Sequence, residues 1–112
     1  MLRIGCHLSS SKGYEAMGKT ALDIKANTFQ FFTRNPRGAK AKAIDKEDVK
    51  RFLKIQEEWD ISPILAHAPY TLNACAADGH LREFARMKII EISRSILHSP
   101  QIIFHCFPGK LP

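Results

Sequence analysis

Ile64-Leu65-Ala66-His67 and Ile102-Ile103-Phe104-His105 are two short apolar runs that each end in a histidine. A run of this length bounded by turn residues reads as a buried strand, and a parallel sheet buries both faces of such strands. A polar imidazole at the C-terminal end of a buried strand is costly unless it has a partner. That end of the strands is where α/β sheets and barrels hold ligands and metals. Neutral imidazole is also a common zinc ligand. The two positions therefore mark a candidate site. Position alone leaves two readings open: a pair of hydrogen-bonded histidines at a sheet end, or a pair of metal ligands.

Outward from these runs the chain alternates strand and helix. Residues 2–7 read as a first strand, and Ser9-Ser10-Ser11 offers hydroxyls to cap the helix that follows, in which Tyr14, Met17, Ala21 and Ile24 share one face. The aromatic run Thr28-Phe29-Gln30-Phe31-Phe32, bounded by Asn27 and Asn35-Pro36, reads as a second strand. Asp45 is a good N-cap with Glu47 and Asp48 in the first turn, and Val49, Phe52, Leu53 and Trp59 form an apolar stripe. Pro63 opens the third strand. Residues 78–97 form the longest expected helix, with Leu81, Ala85, Ile89, Ile92 and Ile96 on one face, and residues 101–105 form the fourth strand. Alternation of this kind implies parallel βαβ units with right-handed crossovers. A complete eightfold barrel takes about 250 residues, about 200 at its most compact. The 112 residues here supply about half of one. The expectation is an α/β fold, with residues 1–112 as a single partial barrel domain that stops after its fourth strand.

Composition bounds the partners. The apolar fraction of 45% allows a core, and 17 basic against 11 acidic side chains leave a net charge of +6, which favours polyanions. Cys6, Cys75 and Cys106 have no zinc-finger spacing and cannot all pair, which reads as reduced thiols in the cytoplasm. No secretory segment is visible, and no apolar run approaches the roughly 18 residues of a membrane span. The phosphate-loop and dinucleotide fingerprints and the G-x-S-x-G elbow are all missing, and no cysteine has the setting of an activated nucleophile.

Other side chains gather near the histidine ends. His7 closes the first strand and reads as a core group or a support for a ligand rather than a ligand itself. His80 and His98 flank a helix and read as surface residues. The loop from Thr33 to Lys42 carries Arg34, Arg37, Lys40 and Lys42 without an acid, which suits a phosphate backbone or a solvated loop. Tyr70, three residues past His67, either stacks on a base or packs beneath its own loop.

Three ordered motifs carry a family resemblance. Gly5-Cys6-His7-Leu8-Ser9-Ser10-Ser11-Lys12-Gly13 resembles the opening of endonuclease IV, the zinc-dependent apurinic/apyrimidinic endonuclease. Asn27-Thr28-Phe29-Gln30-Phe31-Phe32-Thr33-Arg34-Asn35-Pro36-Arg37 resembles that family's second strand and DNA-contacting loop. Ile64-Leu65-Ala66-His67-Ala68-Pro69-Tyr70-Thr71-Leu72-Asn73 resembles its third strand and metal-bearing turn. The resemblance implies the first half of a TIM barrel of the xylose isomerase-like kind. It also implies a trinuclear zinc site at the strand ends, and hydrolysis of the phosphodiester 5′ to an abasic site in double-stranded DNA during base-excision repair. By it, His67 and His105 match zinc ligands, and Arg37 and Tyr70 match side chains that enter the DNA stack, with Arg34 and Asn35 beside them on the DNA-contacting loop. A base-less nucleotide is cheap to extrude, and inserted side chains fill the gap it leaves. The chain departs from the family at Thr71, where an apolar wedge is usual, and at Cys106, where Pro-Gly would follow the histidine directly. The ligands of later strands have no counterpart, so this chain alone is expected to be inactive and to self-associate through open sheet edges. Two alternatives remain. One is a piece of a metal-dependent sugar isomerase or epimerase barrel, against which the cationic loop argues. The other is a non-catalytic remnant with weak nucleic-acid binding.

Overall fold

The computed structural model describes residues 1–33, 43–96 and 102–105. The order is β1 (Gly5–His7), α1 (Tyr14–Asp23), β2 (Thr28–Phe32), α2 (Lys46–Glu58), β3 (Ile64–His67), α3 (Gly79–Ile96) and β4 (Ile102–His105). The strands lie in the order β1-β2-β3-β4, each parallel to its neighbour. The four parallel strands and three helices expected from the sequence are present.

Burial along the strands follows a period of two. In β2, Phe29 and Phe31 are buried while Thr28, Gln30 and Phe32 are half-buried; in β3, Ile64 and Ala66 are buried while Leu65 and His67 are half-buried. The buried set packs with Met17 and Ala21 of α1, Phe52 of α2, and Ala85 and Ile92 of α3 into one core. The expectation that these strands are buried on both faces is corrected. The helices cover one face, and the register sets Gln30 beside Leu65 and Phe32 beside His67 on the other. That second face is the one whose side chains fill the interior of a closed barrel. Here Ile103 on β4 remains 54% exposed.

Three further expectations shift. β1 begins at Gly5 rather than at residue 2. The preceding residues are held outside the ladder by Asn27 and Asp60: Ile4 N–H donates to Asn27 Oδ1 at 2.7 Å, Asn27 donates through Nδ2 to Leu2 O at 3.0 Å and through its N–H to Ile4 O at 3.1 Å, and Arg3 donates to Asp60 O at 2.8 Å. The serines do not cap α1. Its N-cap is Gly13, and its first N–H groups are taken by α2, with Tyr14 N and Glu15 N donating to the two oxygens of Asp48 at 2.7 and 3.0 Å. Asp48 thus serves two helices, since it also lies in the first turn of α2 beneath the Asp45 cap. Finally, Trp59 and Leu81 lie outside the core at 63% and 60% exposure. Trp59 falls past the end of α2 as its C-cap, and Leu81 lies in the first turn of α3.

Candidate functional site

The C-terminal ends of β2 and β3 are tied together by backbone and hydroxyl bonds. Thr33 donates through both its N–H and its Oγ1 to His67 O, at 3.1 and 3.3 Å. Ser10, from the loop after β1, donates its hydroxyl to Phe32 O at 3.0 Å, and Leu8 N donates to Gln30 O at 2.8 Å. The loop after β3 then turns tightly. Ala68 and Pro69 are buried, Tyr70 is 69% exposed, and Leu72 re-enters the core.

This frame sets four rings against one another. Phe32 lies 4.7 Å from His7, 5.1 Å from His67 and 5.0 Å from Tyr70, measured between ring centroids. His67 and Tyr70 are 5.7 Å apart and also meet edge to face. Such edge contacts suit the charge distribution of aromatic rings. The structure therefore brings together His7, His67 and Tyr70 of the residues singled out in the sequence. Tyr70 does not pack beneath its loop; its ring stands on the rim and stays open to solvent.

His67 Nδ1 is in hydrogen-bond contact with the Ala68 carbonyl, which only a protonated Nδ1 can satisfy. That tautomer presents Nε2 as the ligating nitrogen, and a carbonyl on the other nitrogen is a usual support for a metal-binding imidazole. The Cα of His105 pairs with that of His67 in the β3–β4 register, so the two strand-end histidines are neighbours in the sheet. The backbone of His105 is described; its side chain is not. Among the described residues no three His, Cys, Asp or Glu side chains gather closely enough to hold a metal. The donor chemistry at His67 thus fits zinc as one ligand of a larger set. Arg34, Asn35 and Arg37, with Cys106 and His98, lie outside the described residues. His80 is exposed, as expected.

Sequence reasoning did not place Phe32, Thr33 or Ser10 at this site. All three depend on strand register and on a loop folding back, which no local pattern announces.

His7 is exposed rather than a core group, and partial desolvation, with a smaller contribution from the nearby His67, holds its imidazole below its ordinary value. A depressed folded value makes the unfolded chain bind more protons as pH falls below about 6.5, so stability rises with pH across that window and is lost on acidification. The metal-free chain is therefore expected to lose more melting temperature between about pH 8 and pH 5 than its His7→Gln variant does. Parallel pH profiles for the two would refute this.

No family model matches the chain. A probable endonuclease 4 of Alkaliphilus oremlandii is 57% identical over 110 residues, which are 98% of this chain and 39% of the relative. One from Clostridium botulinum is also 57% identical over 110 residues, 98% of this chain and 40% of the relative. One from Methanosphaera stadtmanae is 38% identical over the same 98% of the chain and 40% of the relative. The chain thus spans about two fifths of the length of the curated relatives it matches. The crystal structure of endonuclease IV from Thermus thermophilus superposes with a TM-score of 0.81 at 24% identity, covering 99% of this chain and 42% of that one. That likeness establishes the fold: the described elements are a part of an α/β barrel.

Proposed function

We propose, for a chain related to endonuclease 4 proteins over 98% of its length, that it is part of a zinc-dependent endonuclease that cuts DNA 5′ to abasic sites in base-excision repair. The observation that carries this reading is the 57% identity sustained across that length. The geometry is in keeping with it, because an imidazole with Nδ1 engaged and an exposed tyrosine share one rim at the strand ends.

The proposed roles follow from what each group can do. His67 and His105 would hold zinc, which when bound supplies Lewis-acid activation of water and of the phosphodiester. Tyr70 presents a flat ring where an unstacked nucleotide would leave a gap. Arg34, Asn35 and Arg37 would hold phosphate and the neighbouring stack. His7, against Phe32, supports the cluster without ligating. A cytoplasmic setting suits the free thiols of Cys6 and Cys75, and among the described residues no helix is long and apolar enough to cross a membrane. Among the described residues β1 and β4 are the outer strands of the sheet, and edges of that kind invite self-association of the 112-residue chain.

The test is metal and DNA binding by that chain. Structural zinc takes four protein ligands and catalytic zinc three plus water. Zinc is therefore expected to bind weakly, to be lost on dialysis against a mild chelator, and to bind more weakly still in His67→Ala. No zinc-dependent incision of an abasic duplex is expected. Tyr70→Ala should weaken abasic-duplex binding by about 1–3 kcal/mol. Tight zinc that is indifferent to His67→Ala would refute the metal assignment, and an unchanged preference for abasic over intact duplex in Tyr70→Ala would refute the DNA assignment.

A further inference from the structure

We infer that Phe32 is a positioning residue that sets the His67 imidazole and the Tyr70 ring relative to each other. The inference rests on the proposed reading for what those two groups do, but not for how they are held.

Phe32, His67 and Tyr70 form a closed triangle, with centroid separations of 5.1, 5.0 and 5.7 Å and interplanar angles of 70°, 74° and 63°. Each ring meets the other two edge to face, so rotating any one of them breaks two contacts. Phe32 is the member with the firmest support. Its carbonyl accepts from Ser10, the next residue bonds twice to His67 O, and His7 packs on its remaining side at 4.7 Å. Phe32 also belongs to a different layer from the other β2 phenylalanines. Phe29 and Phe31 are in the helix-covered core, whereas Phe32 is half-buried on the opposite face, in register with His67. A benzene ring has no nitrogen or oxygen to compete for a metal or a proton. What it can supply is a fixed apolar wall that orients the imidazole on one side and the phenol on the other. Groups that orient a ligand and set the polarity around a metal commonly change its affinity by about 10- to 100-fold.

The experiment compares Phe32→Leu, Phe32→Met and Phe32→Tyr in the 112-residue chain. Without metal, the ring carbon–proton signals of His67 and Tyr70 are read by NMR. Both sets should shift together in Phe32→Leu and Phe32→Met and return in Phe32→Tyr, which keeps the ring. Zinc ion alone is then titrated, and the apparent affinity should fall about tenfold in the two ring-less variants and be restored by Phe32→Tyr. Unshifted His67 and Tyr70 signals, or wild-type zinc affinity in both ring-less variants, would overturn the inference. So would loss of folding in both, which would make Phe32 a core residue. His67→Ala separates the two claims. If it leaves zinc binding unchanged, the metal reading fails, while the metal-free signals still report on Phe32.

Discussion

Gly5→Ala is expected to destabilise the chain by about 3 kcal/mol or more, or to abolish cooperative unfolding. A methyl group at this position would lie 1.9 Å from Thr28 O and 2.5 Å from Thr28 C, both backbone atoms of the neighbouring strand. No rotamer change relieves such a contact, so β1 must move away from β2. β1 has three residues, and Gly5 pairs with Thr28 at the start of the register that carries His7 to Gln30. Displacing β1 therefore also removes His7 from Phe32. Gly79→Ala is the matched control, because its methyl would meet nothing nearer than an Arg82 nitrogen at 3.9 Å. At that helical position alanine should be neutral or stabilising by up to about 1 kcal/mol. Urea unfolding of the two variants decides the matter, and a Gly5→Ala midpoint within error of wild type would show that β1 does not need this close approach.

The elements were legible in the sequence because their signals are local. Asp45 caps α2 by accepting from Glu47 N and Asp48 N, as its residue type and place suggest. The strand ends at His67 and His105 fall where apolar runs meet a polar ring. The one-sided covering of the sheet was not legible. Ile64-Leu65-Ala66-His67 shows no alternation before its last residue, so it reads as buried on both faces, although only Ile64 and Ala66 are. The capping of α1 was out of reach for a different reason: its partner Asp48 lies 34 residues on from Tyr14, in another helix. The same holds for the site. His67 and Tyr70 could be paired from their spacing, but the ring that joins them comes from β2, and only the register places Phe32 beside His67.

Phe52→Ala is expected to cost about 3–5 kcal/mol, in the range of buried phenylalanine truncations. Its side chain is 0% exposed and sits where α1, α2 and β2 meet, with its ring 5.8 Å from Phe29 and 6.2 Å from Tyr14. The α1 side of that junction is Gly18, whose added methyl would approach Phe52 Cδ2 to 2.9 Å and Cε2 to 3.3 Å. Phe52 is enclosed by Phe29 and Tyr14 and has little room to yield. Gly18→Ala should therefore destabilise the wild-type chain by about 1–2 kcal/mol, despite the gain in helix propensity. Once the ring is removed the same methyl enters vacated space. In the Phe52→Ala background, Gly18→Ala should then stabilise by up to about 1 kcal/mol, the propensity of alanine over glycine in a helix. The change of sign gives a coupling of roughly 2 kcal/mol in a double-mutant cycle, large for a pair in direct contact. Additive effects would mean that the spacing of α1 and α2 is set elsewhere. Chemical denaturation of the four proteins measures it, and the sign of the Gly18→Ala change in the truncated background is the deciding observation.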